Sequence, residues 1–117
     1  MKLEVFNSPQ LLHLAEDNLL VNNLVKQIDK DFSLANVKLN LPKNFESNSF
    51  ISLLREKVYY LMMEHFSDYL NLLYIIDVPE REFKHIEITD TVEVANQVTF
   101  LILKREYQKV WFKNKYK

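Results

Sequence analysis

The chain has 117 residues, 48% hydrophobic and 26% charged, with a formal net charge of −1, which fits one globular domain spanning 1–117. It has no cysteine, which excludes disulfide scaffolds, thiolate metal sites and cysteine nucleophiles. It also has no glycine, so Gly-rich dinucleotide loops, the P-loop and the nucleophile elbow cannot be built in standard form.

Ser8-Pro9 announces the first helix, because serine caps free N–H groups and proline suits the first helical position. Leu11, Leu14, Asn18, Val21, Val25, Ile28 and Phe32 then follow in steps of three and four, one helical seam over about 9–32 with a single polar interruption at Asn18. A buried Asn there would set register or oligomeric state, paired with His65, with Thr99, or with its twin in a second copy.

The stretch "VKLNLP" alternates apolar and polar residues and stops at Pro42, which predicts an extended connection. A second long helix is expected from about Ser49 to Asp77. Phe50, Leu54, Val58, Leu61, Met62, Phe66, Tyr69, Leu73 and Ile76 form its main apolar face. Leu53, Met63, Leu70 and Leu72 spill beyond one stripe, so this helix should meet partners on two sides. His65 sits at the edge of that face, as a polar core-edge residue. Pro79 starts a short helix to about Ile86, and Asp90 with Glu93 marks the start of a last helix, Thr91 to about Lys113. The expected fold is all-α, an antiparallel bundle of three long helices plus one short.

The closing stretch, "LKREYQKVWFKNKYK", carries most of the charge asymmetry. Residues 104–117 have net +5 and residues 1–103 net −6. At 100° per residue, Phe100, Leu103, Tyr107, Val110 and Trp111 share a core-facing side, and Arg105, Lys109 and Lys113 form a line on the other. Phe112 and Tyr116 fall near that line. Arg105, Gln108, Lys109, Phe112, Lys113 and Tyr116 are therefore the candidate interaction surface. Cations at a helix C-terminus are also favoured by the macrodipole alone.

Catalytic chemistry is sparse. Glu82-x-x-His85 has the spacing of di-iron bundles but occurs once, and His13 with Glu16 or Asp17, and His65 with Asp68, are ordinary helical neighbours. No Ser-His-carboxylate arrangement is suggested by residue order. No catalytic, metal-binding or cofactor-binding residue is assigned, and no export signal or membrane-length apolar run is seen.

The stretches 69–83, "YLNLLYIIDVPEREF", and 101–113, "LILKREYQKVWFK", resemble small all-helical bacterial proteins of uncharacterised function. Those share a Leu-Leu-Tyr-x-Ile-Asp turn, here Leu72, Leu73, Tyr74, Ile76 and Asp77. They also share a final helix with Arg-x-x-Gln-Lys, here Arg105, Gln108 and Lys109. The resemblance covers the C-terminal half and implies a cytoplasmic bacterial helical protein, with no ligand or activity. The leading expectation is a non-enzymatic cytoplasmic interaction or scaffold protein that self-associates into a homodimer. The alternative is a nucleic-acid-associated factor using the basic, aromatic closing helix. A metal-binding or enzymatic bundle comes third.

Overall fold

A computed structural model describes residues 3–116. Five α-helices form among them: α1 Ser8–Asp17, α2 Val21–Leu34, α3 Ser47–Glu64, α4 Phe66–Ile76 and α5 Thr91–Lys115. A 3-10 segment, Glu80–His85, follows Pro79. The all-α expectation holds, but two of the three long helices are each divided in two, so the helix count differs from the expected three plus one.

The first division lies at 18–20. Asn18 ends α1, Leu19 takes φ 57°, and the Leu20 N–H donates back to the Ala15 carbonyl (2.8 Å). This is the αL helix ending that glycine normally supplies. Two other ends repeat it. Asn36 (φ 61°) precedes Val37, whose N–H reaches the Phe32 carbonyl, and Asp77 (φ 67°) precedes Val78, whose N–H reaches the Leu73 carbonyl. In each case the next residue, Leu20, Val37 or Val78, is buried, so apolar burial after the turn offsets the strain of a side chain at positive φ. A glycine-free chain thus ends three helices with Leu, Asn and Asp.

The second division is a single residue. His65 (φ −144°, ψ 63°) donates its N–H to the Leu61 carbonyl and accepts from the Tyr69 N–H, closing α3 and opening α4 at once. Its Nε2 lies 3.0 Å from the Tyr60 hydroxyl and its Nδ1 3.8 Å from Asp68 Oδ2.

Between α2 and α3 the chain is extended. Val37 and Leu39 are buried while Lys38 and Asn40 are exposed, as the alternation predicts. Helix α5 begins as expected, with Asp90 Oδ1 accepting from the Glu93 N–H (2.9 Å). The cap of α1 is Asn7, one residue before the expected Ser8, and accepts from the Gln10 N–H.

Helix α5 is the central element and packs against α1, α2, α3 and α4. Val98, Ile102, Leu103 and Tyr107 on α5 join Leu11, Ile28, Phe32, Leu54, Leu72 and Ile76 in one continuous core. Gln97 pins the loop before α5 by exchanging two hydrogen bonds with the Glu87 backbone (2.8 and 3.0 Å). No helix of the described residues is long and apolar enough to cross a membrane.

Candidate functional site

Two surfaces stand out: the seam where α5 meets α2, and the outward side of α4.

At the seam, Gln27 and Asp31 lie one turn apart on α2 and are both buried, beside Leu24 and Ile28. Glu106 on α5 faces them and is 0% exposed. Lys109 lies one turn further on α5. Its Nζ is 2.7 Å from Asp31 Oδ2 and 2.7 Å from Glu106 Oε1. Among the described residues no donor forms a hydrogen bond to either Glu106 oxygen. Gln27 Nε2 donates to Asp31 Oδ2 (3.1 Å), and Lys113 Nζ donates to Gln27 Oε1 (2.7 Å). The result is a chain of polar contacts, Glu106–Lys109–Asp31–Gln27–Lys113, running from the core to the surface.

Two carboxyl groups and one nearby ammonium cannot both stay ionised in so dry a place. Burial, with hydrogen bonding to Asp31, pushes the Glu106 carboxyl up to about 8, against the lowering effect of the Lys109 ammonium. Burial also pushes Asp31 upward, but hydrogen bonds from Glu106, Lys109 and Gln27, with the Lys109 charge, outweigh it and hold Asp31 below the usual carboxylate range. At neutral pH Glu106 is therefore mainly protonated and donates to the Asp31 carboxylate.

Of the expected surface set, Arg105, Lys109 and Lys113 are engaged within the protein. The Arg105 guanidinium grips Asp77, and Lys109 and Lys113 belong to the seam. Arg105 and Lys109 are largely covered rather than solvent-facing. Gln108 is half-buried. Phe112 and Tyr116 are exposed and lie parallel, 6.3 Å between ring centroids and 5° apart in plane. Tyr107 is buried as expected, whereas Trp111 is only half-buried, edge-on to Phe112 and with Lys115 Nζ 4.8 Å above its ring.

The two polar core residues lie elsewhere than expected. Asn18 is exposed, and its Nδ2 donates to the Leu14 carbonyl and the Tyr107 hydroxyl, both at 3.0 Å. It touches neither His65 nor Thr99, because the end of α1 rotates it out of the seam. His65 is exposed at the α3–α4 joint, and Thr99 Oγ1 returns its hydrogen bond to the Ala95 carbonyl. Among the described residues no three His, Asp or Glu side chains converge as metal ligands. Glu82 of the Glu-x-x-His pair is held by Lys104 (3.2 Å).

On α4, Tyr69, Leu72, Leu73 and Ile76 face the core. Phe66, expected on that face, is instead 57% exposed, because the joint at His65 resets the helix register. Leu70 is 52% and Tyr74 83% exposed. At intervals of four these three form a single outward stripe. The only charged residue of α4, Asp68, lies at about 160° from the stripe's centre. Tyr59, Tyr60 and Met63, just before the joint, are also at least one-third exposed.

No protein-family model, curated protein or solved structure matches the chain.

Proposed function

We propose that this protein is a non-enzymatic interaction module that pairs with a second copy of itself through the outward face of α4. One observation carries the reading: Phe66, Leu70 and Tyr74 form an exposed apolar ridge without a charged neighbour on its side of the helix. Interface cores are depleted of charge and enriched in aromatic residues in this way.

Two features favour a second copy as the occupant. The ridge is symmetric about its centre, with an aromatic ring four residues to either side of Leu70. Antiparallel packing of two α4 helices would set Phe66 against the partner copy's Tyr74 and Leu70 against its twin, an isologous contact. Area is the second feature. Tyr59, Tyr60 and Met63, just before the joint, add exposed apolar side chains to those of the ridge, towards the ~800 Å² per partner of a standard interface.

The nucleic-acid reading is weaker on this geometry. Arg105 and Lys109 are already held in ion pairs with Asp77 and Asp31, so phosphate contacts along the expected basic line would have to displace two of its three cations. The cysteine-free sequence and the resemblance to small bacterial proteins support a cytoplasmic setting.

Sedimentation equilibrium tests the reading. The wild type should approach twice the chain mass as concentration rises through the micromolar range, and Leu70→Asp should stay monomeric with an unchanged helical circular dichroism spectrum. A wild type that stays monomeric at every concentration, or a Leu70→Asp dimer of equal affinity, would count against it.

A further inference from the structure

Beside the polar seam, the last turns of α5 and the exposed side of α2 enclose a groove of about 380 Å³. Its wall contains Lys26, Lys30 and Lys113, with the amides of Asn23 and Asn114, and its floor includes Val110. No carboxylate lines it. We propose that this groove is a binding site for the phosphate group of a small soluble phosphorylated ligand.

The lysines are arranged for such a ligand. Lys26 and Lys30 are one turn apart on α2, a like-charge placement that costs a few tenths of a kcal/mol without a counter-charge. Among the described residues neither forms an ion pair. Lys113 completes the set from α5, and its position is fixed from below. Its ammonium donates one hydrogen to Gln27 Oε1, and Gln27 is in turn held by buried Asp31. Two ammonium hydrogens stay available, on a group whose ordering is already complete before an anion arrives.

The two carboxyl groups of the seam do not oppose an anion strongly. Asp31 is neutralised by Lys109, and Glu106 lies sealed in the core. The groove therefore presents three positive charges and amide donors over an apolar floor, within the size range of small-ligand sites.

Inorganic pyrophosphate is the probe, followed by amide chemical shifts of the full chain at physiological salt. Saturable binding is expected, with shifts concentrated at Asn23, Lys26, Lys30, Lys113 and Asn114. Lys30→Ala, at an exposed site that leaves the seam intact, should weaken binding roughly five- to tenfold, and Lys84→Ala should leave it unchanged. Non-saturable binding, shifts scattered over the surface, or equal losses in the two variants would overturn the proposal. A single-stranded oligonucleotide or anionic phospholipid vesicles serve as the other arms. Tighter binding of either, per phosphate, than of pyrophosphate would also overturn it, in favour of a macromolecular polyanion.

Discussion

Arg105 closes the end of α4 by holding Asp77 twice. Its Nε–H donates to the Asp77 carbonyl (3.0 Å), and a terminal N–H donates to Asp77 Oδ2 (3.2 Å). The backbone of Asp77 is left-handed, so a carbonyl that the helix leaves free is satisfied from the neighbouring helix. The contact joins the turn that follows α4 to the middle of α5. It also anchors the C-terminal end of the helix bearing the Phe66–Leu70–Tyr74 ridge.

Arg105→Lys should therefore destabilise the protein by about 1 kcal/mol, since a lysine cannot serve the carbonyl and the carboxylate in this fork geometry. Asp77→Ala should cost as much or more, because it loses the ion pair and puts a Cβ-bearing residue without a local acceptor at positive φ. Asp77→Asn should cost less. Urea denaturation of the three variants checks the order, and equal stability of Asp77→Ala and Asp77→Asn would contradict it.

Glu106 predicts an unusual pH dependence. The folded protein holds its proton up to about pH 8, whereas the unfolded chain releases it near 4.5. Between those values the folded state binds more protons, so this group's contribution to stability is full below about 4.5 and falls as pH rises towards 8. Asp31 acts oppositely: its folded value lies below 3.8, so its contribution is present above that value and lost as pH falls through the folded one. Glu106→Gln removes the falling limb. Urea midpoints at pH 5, 6.5 and 8 should show wild type losing on the order of a few kcal/mol relative to the variant. Parallel curves would contradict the buried proton.

Leu19 offers a test of the glycine-free helix endings. It is 88% exposed at φ 57°, so its side chain contributes little burial while its Cβ opposes the conformation. Leu19→Gly should raise stability by about 1 kcal/mol, or several degrees in melting temperature. Leu20→Ala, one residue on, should lower it by about 2 kcal/mol or more, since Leu20 is the buried residue that follows the turn. Destabilisation by Leu19→Gly would show that the side chain is needed there.

The sequence announces what local chemistry controls. Asp90 caps α5, Pro79 opens the 3-10 segment, and Val37 to Leu41 alternates as an extended segment should. The breaks at Leu19 and His65 were hidden because neither glycine nor proline marks them. The spacing of Leu11, Leu14, Asn18, Val21 and Val25 reads as one seam although the chain turns in its middle. The polar seam was missed for a different reason. Helical angles correctly group Lys109 with Arg105 and Lys113, but whether that side meets water or another helix depends on α2, some 78 residues away along the chain. Gln27 and Asp31, one turn apart beside Leu24 and Ile28, were the available signal. The α4 ridge was half legible, since Leu70 and Met63 already exceeded one apolar stripe.

The pairing of α4 with its twin can be tested most directly by a single thiol, because the chain contains no cysteine. Leu70→Cys would place one sulfur at the centre of the antiparallel contact, where facing helices bring the two Cα atoms within disulfide reach. Under mild oxidation it should form a disulfide-linked dimer much faster than Lys84→Cys, and at protein concentrations where the wild type is paired. Cross-linking no faster than that of Lys84→Cys would contradict pairing through α4.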